Sequence, residues 1–155
     1  MDFISHGLYG GAIIIRKAPQ YYWLAVASGM LPDLLAGAFA MSKVGVLNGI
    51  KKFAGEDAHL PEPVYKFYYV THSFITTGIL ALLLYLIRKD LVILALPYAF
   101  HILCDIPFHR SRFCTRFLYP LSNFHIKGFS YKDHKWLYIP NYFIIIILYL
   151  FLLKQ

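Results

Sequence analysis

The stretch that decides the fold is Tyr98-Ala-Phe-His101-Ile-Leu-Cys104-Asp105-Ile-Pro107-Phe-His109, which closes an apolar run and places an imidazole and a carboxylate four residues apart. On a helix that spacing stacks the two side chains one turn above the other on a single face, which is chelate spacing. Groups this polar are costly to hold inside an apolar segment, so they face a bundle interior, pair with each other, or hold an ion. The plainer reading of the pair alone is a buried His-Asp hydrogen bond that staples two helices.

The rest of the chain sets the surroundings of that stretch. It has 155 residues, 59% of them hydrophobic, 18% aromatic and only 15% charged, a balance too apolar for a water-soluble domain and sized for one domain, residues 1–155. The reading is an all-α, polytopic membrane bundle of about five apolar helices with an interfacial cap. No signal-peptide pattern stands at the start, so the first helix is expected to be retained. Cys104 and Cys114 make neither a disulfide framework nor a thiolate cluster. The net charge of +7 suits phosphate groups or an anionic membrane surface, and it also reports which loops stay in the cytoplasm. Nothing in the pattern predicts specific nucleic-acid binding.

Five apolar segments are expected. Residues 3–15 run from Phe3 and contain His6; Arg16 and Lys17 end them in a tight basic turn. Residues 21–41 contain Pro32 and Asp33, where the proline is expected to kink or break the helix beside the carboxylate. Residues 42–63 turn polar, with Lys51, Lys52, Glu56 and Asp57, and read as a surface loop or interfacial helix. Residues 64–87, carrying Thr71-His72-Ser73, form the longest span, longer than the roughly 20 residues a hydrocarbon core needs. Residues 91–106 return from a turn at Arg88-Lys89-Asp90, and Pro107 is expected to stop them. Residues 109–135 are aromatic and basic without a clear period and read as the cap. Residues 136–153 are the last span, with Trp136, Tyr138 and Tyr142 at one end.

Folding these segments into hairpins puts their polar residues at matching depths. His6 and Asp33 lie about 12 and 14 residues from the first turn, and His101, Asp105 and His72 about 12, 16 and 17 from the second, at about 1.5 Å of rise each. Scattered structural residues have no reason to share a depth, so His6, Asp33, His72, His101 and Asp105 are expected to converge on a metal, with His109, one turn past Asp105, as a sixth ligand. Imidazoles with carboxylates and no convincing thiolate favour zinc, with manganese or iron as alternatives. Asp33 and Asp105 are the candidate catalytic groups, either one as bridge or base. Arg110, Arg112, Arg116 and Lys127 beyond the fourth helix either clamp a phosphate or form an ordinary basic loop against lipid headgroups. His59, His125 and His134 stand in polar surroundings and are left outside the site.

Read in order, Ser5-His6-Gly7, Leu31-Pro32-Asp33, Thr71-His72-Ser73, His101-x-x-x-Asp105 and Tyr119-Pro-Leu-Ser122 resemble the family of membrane-bound, predicted metal-dependent hydrolases. That family is similar in its His and Asp pattern to zinc-dependent phospholipases C and zinc-dependent single-strand nucleases. The resemblance implies a metal cluster among helices that cleaves phosphate esters, with a phosphate-containing substrate or lipid as partner. Two departures stand out: Phe67-Tyr-Tyr-Val70 replaces the usual His-Arg-Gly, and no Asp-His pair follows Leu-Pro-Asp. Both imply fewer ligands. A divalent-cation transporter would use the same residues, but no charged residue lies between Lys17 and Asp33 or between Asp90 and His101 to continue a pathway. A non-catalytic metal-binding membrane protein is the third alternative.

Counting Lys and Arg around five spans puts ten on the side of the site and five, Arg16, Lys17, Arg88, Lys89 and Lys154, on the other. The excess predicts an integral protein of the cell inner membrane or plasma membrane whose metal site faces the cytoplasm.

Overall fold

A computed structural model describes residues 1–53 and 59–154, and Glu56 and Asp57 lie outside the described residues. The described chain is all-α: α1 (Phe3–Ile14), α2 (Tyr22–Val44), α3 (Val46–Phe53), α4 (Glu62–Thr71), α5 (Phe74–Ile87), α6 (Ala95–Phe108) and α7 (Tyr138–Leu153), joined by single turns of 3-10 helix. Within residues 42–63, read as a surface loop or interfacial helix, α2 continues to Val44 and the short helix α3 follows. The cap at 109–135 consists of short 3-10 turns at Ser111–Phe113 and Tyr131–Asp133, with a further turn at 117–121 and irregular chain between them.

The α1–α2 pair is the frame. Asp2 caps α1, its carboxylate accepting from the Ser5 amide at 3.0 Å and from the Ser5 hydroxyl at 2.6 Å. The two helices then touch backbone to backbone: a Cβ on Gly10 would lie 2.6 Å from the Ala25 carbonyl oxygen, and one on Gly29 2.6 Å from that of His6. Only glycine permits this approach, which brings His6 on α1 and Asp33 on α2 to the same end of the molecule. α6 packs on both. Ser28 ties α2 to the start of α6 by donating to the Leu94 carbonyl at 2.7 Å. α7 is fixed on α1 by polar side chains, with Asn141 donating to Ser5 at 2.7 Å, Tyr142 to Asp2 at 2.9 Å and Tyr149 to the Leu8 carbonyl at 2.7 Å.

Four expectations need correction. Pro32 does not break its helix, because α2 runs through it from Tyr22–Val44. The proline has no N–H for the Ser28 carbonyl one turn earlier, and the neighbouring Gly29 carbonyl lies 2.7 Å from the His101 ring of α6. The run 64–87 is not one straight span: it divides at His72 and Ser73 into α4 and α5, bent by 55°. Ser73 causes the restart, since its hydroxyl caps α5 by accepting from the Ile75 amide and donates to the Tyr119 carbonyl at 2.6 Å, while the Phe74 amide donates to Phe117 at 2.9 Å. Pro107 lies inside α6, which begins only at Ala95 after a 3-10 turn and continues to Phe108. The freed carbonyls of Pro107 and His109 accept from the amides of Phe129 and Gly128 in the cap.

The number of spans is the fourth correction. Two helical stretches, Pro19–Val44 and Lys89–Phe108, are long and apolar enough to cross a membrane, and the bent pair α4–α5 makes a third if counted as one. α1 and α7 are apolar but shorter, so hydropathy alone overcounted them as full spans.

Candidate metal centre

His101 and Asp105 stand on α6 one turn apart, as their spacing requires, and both are buried. The bend between α4 and α5 turns His72 inward to meet them; Asp33 reaches in from α2 just past Pro32. One donor atom from each of Asp33, His72, His101 and Asp105 lies within 4.8 Å of every other, a set able to hold a metal ion. His72 and His101 face each other Nε2 to Nε2 at 3.2 Å. Asp105 Oδ2 is 3.1 Å from the His101 Nε2 and 3.6 Å from that of His72, and Asp33 Oδ1 is 3.4 Å from His72.

The outer contacts point to which ring nitrogens carry protons. His101 Nδ1 lies 2.7 Å from the Gly29 carbonyl, which only accepts; His72 Nδ1 lies 3.0 Å from the Tyr68 carbonyl and 3.0 Å from the Thr71 hydroxyl, whose own proton goes to that carbonyl at 3.1 Å, so both Nδ1 atoms face acceptors and donate. Each neutral ring therefore turns an Nε2 lone pair inward. Two lone pairs and two carboxylate oxygens then meet with no donor between them, and only a cation, an added proton or a metal ion, relieves that arrangement. Leaving such charge uncompensated in a buried site costs several kcal/mol per group, to order of magnitude.

His6 and His109 contact the other oxygen of the same carboxylate. Asp105 Oδ1 lies 2.9 Å from His6 Nε2, 3.4 Å from His109 Nε2 and 2.9 Å from the Met1 amine nitrogen. The His6 ring also stacks on that of His101, centroids 3.7 Å apart. All six sequence-derived residues are thus brought together, four around one point and two across Asp105 from it. Cys104 is half-buried and outside the four-residue set.

Two residues that the sequence reading passed over also belong here. Tyr68, noted only as a departure from the family motif, stacks on His72 with centroids 3.9 Å apart; its position one turn earlier on α4 was the available signal. Asp2, the α1 cap, lines a cavity of about 430 Å³ that also has Tyr68, Asp33 and His109 in its wall. Asp33 keeps 19% of its side chain exposed, whereas those of His72, His101 and Asp105 are fully buried, so the centre opens on its Asp33 side.

The basic residues beyond α6 do not line this cavity. Arg110 pairs with Asp133 at 2.9 Å, Arg112 with Glu62, and Arg116 with the Asn123 side-chain oxygen at 2.8 Å. Arg112 and Arg116 also lie over the Tyr65 and Tyr69 rings at 4.1 and 4.0 Å. His125 and His134 contact nearby backbone carbonyls, those of Asn123 and Ser130, at 3.0 and 2.9 Å, away from the centre. Comparison with protein-family models, with curated proteins and with solved structures finds no match to this chain.

Proposed function

We propose that the chain is an integral membrane hydrolase that uses a divalent metal, zinc before manganese or iron, to cleave a phosphoester. The observation that carries the reading is the meeting of four acceptor atoms from α2, α4 and α6 without a donor, with one side open to a cavity. Two imidazoles and two carboxylates suit those metals, and a centre with an open side is the catalytic rather than the structural arrangement. When bound, the ion would lower the pKa of a water and polarise a phosphoryl oxygen.

The chain's own groups divide the remaining work. The carbonyls of Gly29 and Tyr68 hold the His101 and His72 rings in the tautomer that presents Nε2. His6 and His109 hold the far oxygen of Asp105, which fixes its carboxylate. Asp33, on the cavity wall, is the carboxylate a substrate reaches, and it takes the proton on its second oxygen. Below the centre, the glycine contacts of α1 and α2 close the bundle toward the Arg16 end, which favours hydrolysis over passage of a cation across the membrane.

Membrane placement rests on the two long apolar stretches and the apolar outer faces of α5 and α7. With Lys and Arg in excess at the site end of the bundle, the centre faces the cytoplasm, and α7, too short by itself for a full span, points its C-terminal end away from that side. A reporter active only in the cytoplasm, fused after the last residue, should then be silent; strong activity from an intact fusion reverses the orientation. The activity itself is tested by incubating zinc-loaded protein with phosphodiesters and phosphomonoesters. Release of product that Asp33→Asn lowers by about 100-fold or more supports the reading, in line with loss of a proton-transfer group. No release from any ester rejects it.

A further inference from the structure

We propose that the cavity beside the centre receives a membrane lipid with a monoanionic phosphodiester head and that one of its tails lies along α2 toward α3. What happens to the head rests on the hydrolase reading above; what fills the cavity does not.

The shape of the cavity has two ends of different chemistry. At about 430 Å³ it falls within the range of small-ligand sites, and its head end holds Asp33 and His109. From there Asp33, Gly37 and Met41 follow each other at four-residue intervals on α2, a single stripe of about 12 Å along the helix axis. Gly37, buried on α2, contributes no side chain to the middle of that stripe. α3 crosses it in direct contact: a Cβ on Gly49 would lie 2.7 Å from the Met41 Cα. The crossing sets Ile50 beside the track, and Ile50 with Val46 and Leu47 forms an apolar face exposed by half or more. An apolar helix face of this kind lies in a membrane interface, so the tail end of the track opens where lipid is.

Charge selects the head. Asp33 and Asp105 together bring two negative charges to one divalent ion, which leaves the centre with no net positive charge. Among the described residues no Lys or Arg lines the cavity, and Asp2 adds a further carboxylate. The Met1 amine, which also lines the cavity, is taken up by Asp105 at 2.9 Å and balanced by Asp2, so a dianionic phosphomonoester meets a wall without excess positive charge, whereas a monoanionic diester brings half the charge and an apolar tail that the wall accepts. Cleavage adds one water across one P–O ester bond: the water oxygen bonds to phosphorus, the ester oxygen leaves as an alcohol with a proton, and a phosphomonoester remains. That product carries more charge than the substrate and is driven out by the same wall.

The test uses the zinc-loaded full chain in lipid nanodiscs containing a phosphatidylglycerol analogue with a photoreactive diazirine midway along one tail. Crosslinks mapped by peptide mass spectrometry are expected on residues 34–50. Gly37→Leu, which fills the track, and Ile50→Trp, which narrows it from the other side, should each reduce them roughly tenfold, about 1.4 kcal/mol of binding, with ion content retained as the check on folding. The matching phosphatidic acid probe should label the same peptide several-fold less. Crosslinks confined to the outer faces of α5 and α7, or unchanged in both variants, overturn the proposal; equal labelling by phosphatidic acid overturns its charge selection. Parallel hydrolysis assays separate the two ideas. Labelling without release of an alcohol leaves the lipid site standing and rejects the hydrolase. Cleavage of bis(p-nitrophenyl) phosphate without labelling of residues 34–50 does the reverse.

Discussion

α6 and α7 are both apolar helices of similar length, and they differ in how much of their surface they bury. α6 buries His101 and Asp105 beside Tyr98 and Ile102, and its polar groups are held by α1, α2 and α4. α7 buries only Asn141 and Ile145 and presents Ile144, Ile146, Ile147, Leu150 and Phe151 outward, each at least half exposed. α5 repeats the pattern, burying Thr77 alone while Leu82, Leu83 and Leu86 face out. In a water-soluble protein the apolar residues would point the other way. Polar groups here bind the helices to one another, and the exposed aliphatic faces suit a hydrocarbon solvent, which is what the proposed membrane placement requires.

Breaking the inner region should have the largest effect. Asp105→Asn removes a carboxylate that contacts four histidines and the Met1 amine, and loss of one partner from a buried charged cluster costs about 3–5 kcal/mol. Zinc titration of the refolded or detergent-solubilised variant should also show affinity reduced by more than the roughly 10–100-fold typical of outer-sphere changes. Wild-type stability and affinity would mean the cluster holds nothing. Gly29→Val comes next. Its added carbons meet the His6 carbonyl, so the α1–α2 contact must open, at about 1–3 kcal/mol of overpacking, and thermal unfolding in detergent reads the loss.

Ser73→Ala should be milder, about 1 kcal/mol for the lost α5 cap, with a further fall in zinc affinity because His72 sits at the same bend. An unchanged zinc affinity would show that the bend does not position His72. The outer region supplies the smallest effect: Leu86→Ala, 70% exposed, should stay within about 0.5 kcal/mol of wild type. A larger loss would place that face against protein rather than lipid.

Much of the inner region was legible before any coordinates, because the i, i+4 spacing of His101 and Asp105 and the matched depths of His6, Asp33 and His72 are properties of helices of fixed rise. The break at His72 was hidden, since it depends on Ser73 reaching Tyr119 and on Phe74 reaching Phe117, partners more than forty residues away in a segment without a period. Pro32 was legible only in part: a local rule forecasts a kink or a break, and α2 runs through it without a break. The span count failed because hydropathy measures composition, while α1 stops at Ile14 ahead of Arg16 and Lys17 and α7 runs only over Tyr138–Leu153, both shorter than a span needs. The basic residues could not be assigned from sequence, as their role turned on whether Glu62, Asp133 and Asn123 lay within reach.

Metal content tests the central claim most directly. Wild-type protein and His101→Ala, purified side by side without added chelator, are analysed for transition metals by inductively coupled plasma mass spectrometry. The account predicts a bound transition metal, zinc foremost, in the wild type and its loss from the variant. Equal metal in both, or none in either after zinc is offered, contradicts it.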